Sequence, residues 1–141
     1  MKRCVQTAQI IFGETAQFNI VEDLREYDFG EYEMKNHDEL MSFDSYVNWL
    51  AGGGKYEMPA GEGMDSFKER IIKAFDLTIK KSCEAGLENI VYVVHGGTIM
   101  SIFEKYDSEK KSYYDYMIKN SECYNAIWDG KNLYRNSKIK E

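Results

Sequence analysis

The hydrophobic and polar positions of the chain change their period several times, and each change marks a predicted element. Residues 90–94 are five β-favouring residues without alternation, which is typical of a strand buried on both faces. Apolar residues at helical spacing then predict a helix over 98–106, so residues 95–97 form a strand-to-helix turn, and Thr98 is a candidate helix cap. Open α/β sheets bind ligands at such turns, because a helix N-terminus faces an anion there.

Helical periodicity predicts further helices over residues 2–12, 37–50, 66–85 and 108–118. Two of them begin at a capping pair, Asn36 with Glu39 and Ser66 with Glu69, in which each side chain can bond to the backbone of the other residue. Gly86 suits the position just after the third of these helices, because glycine readily adopts the left-handed conformation that ends many helices.

The remaining segments are predicted to be strands and loops. Residues 17–21 alternate between polar and apolar and are predicted to form a strand, whereas residues 24–33 are charged, aromatic and without a clean period, which indicates a loop. Near the end of the chain, Asp129-Gly130 separates two strand-like runs and predicts a hairpin.

Composition narrows the classes of protein that the chain can represent. The 141 residues, 43% of them hydrophobic, are enough for one domain with its own core. A net charge of −6 argues against nucleic acid or an anionic membrane as partner, and no apolar run approaches the roughly 20 residues of a membrane helix. Three cysteines without paired spacing fit reduced thiols, so we expect a cytoplasmic protein.

Three polar residues fit a single chemical site. Arg3 lies at the start of a predicted helix, Glu26 in the charged loop and His95 directly after the central strand. A guanidinium, an imidazole and helix-terminal N–H groups could hold a phosphoryl group, and a carboxylate could donate or accept a proton. From the residues alone, His95 could equally be structural, and Arg3 and Glu26 are more simply explained as a helix-end cation and a solvated carboxylate.

Four sequence motifs that occur in a fixed order along the chain favour a functional role for these three residues over a structural one. They are Met1 to Ala8, Leu24 to Glu33, Gly61-Glu62 followed by Phe67 and Arg70, and Val93 to Thr98 with its His-Gly-Gly-Thr sequence. Together they resemble the histidine phosphatase superfamily, the phosphoglycerate mutase-like group, and within it the bacterial alpha-ribazole phosphatase branch. The resemblance runs from residue 1 to about residue 130.

The resemblance implies a fold and a set of roles. The fold would be a single α/β domain over residues 1–141 with a helix-flanked, mostly parallel sheet. Arg3, His95 and the Gly96 backbone would bind the phosphoryl group of a small phosphorylated molecule, and Glu26 would be the acid/base. No cofactor or metal is expected, and intact relatives would hydrolyse a phosphomonoester through a phosphohistidine.

The sequence also departs from the family pattern. The family begins with a strand ending in Arg-His-Gly, whose histidine is the nucleophile, but this sequence has only His37 and His95, neither in that motif. Met34 and Gly63 stand where the family usually has glycine and serine or threonine. We therefore expect an N-terminally truncated, catalytically impaired member that lacks the opening strand, helix and strand. The alternative is a non-catalytic phosphate-binding or interaction protein on the same fold.

An incomplete sheet has a further implication. In the family fold, the strand matching residues 90–94 lies between two strands that this sequence lacks, and unpaired backbone groups in an apolar setting cost about 1–3 kcal/mol each. We expect a homodimer or a shifted sheet to complete the pairing.

Other kinds of site fit the sequence less well. The His-Gly-Gly turn resembles the oxyanion turn of lipases, but the chain has no G-x-S-x-G elbow. Gly52 to Lys55 lacks the spacing of a phosphate-binding P-loop, and the two histidines and three cysteines are too scattered for a metal site.

Overall fold

The structure is a computed structural model that describes residues 2–52 and 59–139. The chain divides into two compact units, one formed by Met1–Glu26 with Ile71–Glu141 and the other by Tyr27–Arg70. The first unit contains all the residues that the sequence assigns to the candidate site. The single-domain organisation expected for residues 1–141 stays a prediction.

The described residues form five α-helices, three short 3-10 helices and two strands. The α-helices are α1 (Lys2–Phe12), α2 (His37–Leu40), α3 (Asp44–Ala51), α4 (Met64–Glu84) and α5 (Gly96–Tyr106). The 3-10 helices span Glu22–Leu24, Gly30–Tyr32 and Tyr113–Tyr116, and the strands are β1 (Cys123–Trp128) and β2 (Leu133–Ile139). None of the helices in the described part of the chain combines the length and apolar character that crossing a bilayer requires.

The core of the first unit lies along α4 and α5. Phe75 on α4 contacts the rings of Tyr92, Tyr106 and Trp128, with ring centroids 5.4–5.8 Å apart. The buried side chains of this unit are Ala8, Leu24, Ile71, Ala74, Phe75, Ile79, Thr98, Ser101, Ile102, Phe103, Asp107, Tyr113, Tyr116 and Leu133. The helical spacing of the apolar positions in α4 and α5 therefore corresponds to a real buried stripe.

A charged group is buried in the same core. The Asp107 side chain, at the end of α5, is fully buried and accepts hydrogen bonds from Tyr116 Oη at 2.9 Å and from Arg135 Nε at 3.0 Å. Arg135 on β2 also bonds to Glu109 at 2.7 Å and lies over the rings of Tyr116 and Tyr124. This cluster joins the end of α5 to the last strand.

The second unit is built around aromatic side chains. Tyr27 contacts Phe29, Trp49 and Phe67, at ring-centroid distances of 5.0–6.0 Å. In the Gly61-Glu62 motif, Arg70 donates two hydrogen bonds to the Glu62 carboxylate, at 2.8 and 2.6 Å. This paired geometry is the strong form of an arginine–carboxylate contact, and it ties the loop before α4 to the helix.

The predicted hairpin is confirmed. β1 and β2 pair in antiparallel register from Trp128 with Leu133 to Cys123 with Ile139. The Asp129 carboxylate accepts hydrogen bonds from the backbone N–H groups of Lys131 and Asn132, and Gly130 adopts a φ of +95°. The aspartate side chain and the glycine backbone thus close the turn for the reasons that the sequence indicated.

The other predicted strands are wrong for the described residues. Residues 17–21 and 90–94 belong to no helix or strand, and the described sheet is two-stranded and antiparallel rather than mostly parallel. Val91, expected inside a two-sided core, is 64% exposed. β-propensity describes how well residues fit a pleated, half-buried surface, and without a neighbouring strand the same residues form no ladder.

The helix predictions are partly confirmed. α1 matches the predicted helix over 2–12, α5 begins two residues before the predicted 98, and Gly86, at φ +70°, follows α4 as expected. α4 begins at Met64, so Ser66 lies inside the helix and cannot be its cap. The predicted helix over 108–118 is reduced to a single 3-10 turn, because Lys110 adopts a left-handed φ of +53°.

The predicted helix over 37–50 is two helices. The Asn36–Glu39 capping box forms as predicted and begins α2. α2 ends after one turn, where the Ser42 hydroxyl donates to the Glu39 carbonyl at 2.7 Å and Phe43 adopts an extended backbone. This local bond competes with the helical pattern, so the helix restarts at Asp44.

Candidate functional site

His95 is positioned by the start of α5. It is the N-cap residue, with extended backbone angles of φ −86° and ψ 167°, and its carbonyl accepts the first helical bond from the Ile99 N–H at 3.1 Å. Its ring is half-buried. A Cβ placed on Gly96 would meet no atom within 4 Å, so the first residue of the helix faces open space. The local sequence therefore sets an imidazole beside an accessible helix N-terminus, where negative charge is stabilised.

Glu26 reaches the same helix N-terminus. Its Oε2 accepts a hydrogen bond from the Gly97 N–H at 3.1 Å, across a sequence separation of 71 residues. The first N–H groups of an α-helix have no partner within the helix, so the carboxylate satisfies one of them. The charged loop thus delivers Glu26 to the turn that carries His95.

Electrostatics link these two residues to Arg3. Burial lowers the pKa of His95 below its usual range, the Glu26 carboxylate raises that pKa, and the Arg3 guanidinium lowers it. Arg3 lies in the first turn of α1 and is exposed. The charges of Glu26 and Arg3 therefore both reach the His95 ring, whereas the roles of the three residues in phosphate binding and catalysis stay predictions.

Two residues near Glu26 were not singled out by the sequence. Burial raises the pKa of the Cys4 thiol. The Glu26 charge raises the same pKa further, and the Arg3 charge partly offsets the shift by lowering it. The net upward shift keeps this thiol protonated at neutral pH, and a protonated thiol is a poor nucleophile. Burial also raises the pKa of Tyr113, with the Glu26 charge adding to the effect, and the Tyr113 hydroxyl donates to the Gly97 carbonyl at 3.4 Å.

No simple signal could have identified these neighbours. The distance in sequence between Tyr113 and Gly97 is 16 residues, and Tyr113 lies in a segment whose predicted helix does not form. Cys4 belongs to the first motif but carries no spacing pattern of its own. Both depend on tertiary packing rather than on a local pattern.

The polar groups near this turn are those that the sequence predicts to bind an anion and to transfer a proton. They are an imidazole, a guanidinium, a helix N-terminus and a carboxylate. His37, the other histidine, is exposed at the start of α2 and its ring lies near Tyr46, at 6.3 Å between centroids. Within residues 2–52 and 59–139, no group of three or more histidine, cysteine, aspartate or glutamate side chains is arranged to hold a metal ion.

The chain belongs to the histidine phosphatase superfamily (branch 1), whose family model matches residues 1–133. Among curated proteins it is similar to a protein of Hydrogenobacter thermophilus provisionally named phosphoserine phosphatase 2, with 35% identity over 88 residues. That match covers 61% of this chain and 41% of the relative, so it spans less than half of the relative's length.

Two solved structures share the fold. The alpha-ribazole phosphatase from Shigella flexneri matches with a TM-score of 0.79 and 21% identity, over 98% of this chain and 69% of its own. An Escherichia coli K-12 protein provisionally named alpha-ribazole-5′-phosphate phosphatase matches with a TM-score of 0.80 and 20% identity, over 99% and 70%. The mixed helix and strand content thus follows the histidine phosphatase fold.

Proposed function

We propose that this chain carries the phosphate-binding half of a phosphomonoester phosphatase site and is itself catalytically impaired. The observation that carries the proposal is the hydrogen bond from the Gly97 N–H to Glu26, which joins the expected acid/base to the helix N-terminus beside His95. A phosphoryl group at this turn would be held by His95, the Gly96 backbone and the Arg3 fork. Glu26 would then supply or remove the proton of the leaving oxygen.

The substrate class follows from the same chemistry. The Arg3 guanidinium, the His95 imidazole and the N-terminus of α5 would all favour a compact dianion. A small molecule that carries a phosphoryl group has such a dianion. The similar proteins are named for alpha-ribazole phosphate and phosphoserine, which we take as the class to test rather than as the substrate. We also expect a cytoplasmic protein, because three cysteines without paired spacing favour a reducing compartment.

The absence of the family's nucleophilic histidine motif supports the proposal that the chain is catalytically impaired. The sequence contains no Arg-His-Gly motif, and its second histidine, His37, lies outside any such motif. A protein that binds phosphate without hydrolysing it is therefore the second candidate, because it needs only the groups already present at the turn.

Binding of inorganic phosphate tests the proposal. We expect phosphate to shift the ring resonances of His95 in NMR spectra, and we expect Arg3→Gln to lower the affinity by roughly tenfold or more, since a charge-assisted bond contributes about 1.5–3 kcal/mol. Arg3→Lys should also weaken binding, because the charge stays but the fork is lost.

The matched control is Lys2→Gln, which makes the same change of charge at the neighbouring exposed position. If Lys2→Gln weakens phosphate binding as much as Arg3→Gln does, the affinity depends on the overall positive charge of this region. The role assigned to Arg3 is then wrong. If phosphate leaves His95 unperturbed at millimolar concentration, the phosphate site itself is wrong.

We further propose that a second copy of the chain pairs with residues 90–94. This run has no charged side chain, so antiparallel pairing about a two-fold axis would place no like charges opposite each other. Val91 is 64% exposed, and within the described residues no backbone-to-backbone hydrogen bond joins 90–94 to another segment. Such a run is a template for strand addition.

Sedimentation velocity over a range of concentrations measures the pairing. We expect a dimer for the natural sequence and a monomer for Val91→Pro, which removes a ladder N–H. Val91→Thr keeps that N–H and the β-branched shape, so it should remain dimeric. A natural sequence that stays monomeric at every concentration would refute the pairing.

A further inference from the structure

Two hydrogen bonds join the first turn of α5 to the segment that carries Glu26. The Thr98 hydroxyl donates to the Leu24 carbonyl at 3.1 Å, and one residue earlier the Gly97 N–H donates to the Glu26 carboxylate at 3.1 Å. Thr98 is fully buried and Leu24 is 6% exposed. The helix therefore holds the segment at its backbone as well as at the Glu26 side chain.

The Thr98 bond is not a helix cap. The N-cap of α5 is His95, which makes no side-chain capping bond, and Thr98 lies three residues further on. A threonine inside a helix usually bonds to a carbonyl three or four residues earlier in its own helix. Ser101 behaves in that way, donating to the Gly97 carbonyl at 2.8 Å, whereas Thr98 donates to a carbonyl 74 residues away in sequence.

We propose that Thr98 is a positioning residue that holds Glu26 beside His95. This inference rests on the proposed function, in which Glu26 exchanges a proton and a phosphoryl group binds at the same turn. The Glu26–Gly97 bond weakens whenever the carboxylate is protonated, because the charged form is the stronger acceptor. The Thr98–Leu24 bond is neutral and buried, so it fixes the backbone two residues before Glu26 in either protonation state.

The groups that surround Glu26 make the position of its carboxylate measurable. The Glu26 charge acts on Cys4 in α1, on His95 at the start of α5 and on Tyr113 in the last 3-10 helix, and the Arg3 charge acts on His95 and Cys4. Because the Glu26 charge raises the pKa of His95, the titration of the His95 ring reports how close the carboxylate stays.

The test is an NMR pH titration of His95 in the whole chain, in a His37→Gln background that leaves a single imidazole. Thr98→Val keeps the shape and removes the hydroxyl, and we expect it to move the His95 midpoint to lower pH as the carboxylate drifts away. Thr98→Ser keeps the hydroxyl and should restore the original midpoint. In a Glu26→Gln background, Thr98→Val should no longer move the midpoint.

The control variant is Thr78→Val, which makes the same chemical change on α4, where the hydroxyl contacts Tyr92 Oη at 2.9 Å. It should leave the His95 midpoint unchanged. The inference is overturned if Thr98→Val titrates like the natural sequence, or if it shifts the midpoint equally in the Glu26→Gln background. If Thr98→Val does not fold, Thr98→Ala against Thr98→Ser gives the same comparison.

Added inorganic phosphate separates this inference from the proposed function. A His95 signal that does not respond to phosphate refutes the phosphate site, whereas the Thr98 titrations still report on the placement of Glu26. A signal that responds to phosphate, together with a Thr98→Val midpoint equal to that of the natural sequence, supports the phosphate site and refutes the role of Thr98.

Discussion

With p-nitrophenyl phosphate as substrate, we expect residues 1–141 to release no phenolate above the rate without protein, and to form no acid-labile phosphohistidine. Histidine phosphatases hydrolyse esters through a histidine nucleophile in an Arg-His-Gly motif, and this sequence has no such motif. Removing the nucleophile of a covalent mechanism costs on the order of 10⁶-fold in turnover. His95 and Glu26 are predicted to bind the phosphoryl group and to exchange protons, and neither matches the family's nucleophilic histidine.

We expect that neither His37 nor Cys4 substitutes for the missing histidine. His37 lies in no Arg-His-Gly motif, and burial raises the pKa of the Cys4 thiol so that the thiolate is scarce at neutral pH. A longer chain, extended upstream with a strand–helix–strand segment whose first strand ends in Arg-His-Gly, should turn over and trap phosphohistidine. Robust turnover by residues 1–141 that disappears in His95→Ala or His37→Ala would instead identify a nucleophile we have assigned wrongly.

The largest expected effect on stability is at Asp107. Asp107→Asn removes the charge that faces Arg135 in the core, where the aspartate is fully buried and the arginine side chain is 16% exposed. Breaking a buried pair by removing one partner costs about 3–5 kcal/mol, because the other charge is left uncompensated. Arg135 keeps its bond to Glu109, so we expect about 3 kcal/mol, measured by urea denaturation.

Two variants check that the cost at Asp107 comes from burial. Glu109→Gln removes the other carboxylate that contacts Arg135, but this side chain is 55% exposed, so its loss should be far smaller. Arg135→Met combined with Asp107→Asn removes both charges and should recover part of the lost stability. Equal losses from Asp107→Asn and Glu109→Gln would show that the buried bond contributes no more than an exposed one.

The elements predicted correctly are those whose signal is local. α1, most of α4 and α5, the α2 capping box and the Asp129-Gly130 turn each depend on spacing or on bonds within a few residues. The strand over 90–94 was predicted from an unbroken run of β-favouring residues, and it is not formed because a strand needs a neighbouring strand, which such a run does not provide. For the same reason, the predicted parallel sheet is replaced among the described residues by one hairpin.

The residues of the candidate site also differ in whether a local sequence signal identified them. Arg3, Glu26 and His95 were all proposed from the residues, but only His95 had a local signal, the strand-to-helix turn, and the functional reading of Arg3 and Glu26 depended on their resemblance to family motifs. Thr98 was predicted to cap α5, but its hydroxyl bonds to Leu24 instead, and the only local feature was its position after the two glycines. A sequence pattern can mark such a residue without revealing its distant partner.

The buried Asp107–Arg135 bond also determines when the core of the first compact unit can be completed during protein synthesis. Arg135 lies 28 residues after Asp107, so the aspartate emerges from the ribosome before its partner does. Until then α5 can form its helical bonds, but burying its end would leave the Asp107 carboxylate without its counter-charge. The first compact unit therefore completes its core only after the last strand has emerged, and nascent chains that stall before residue 135 should remain sensitive to protease.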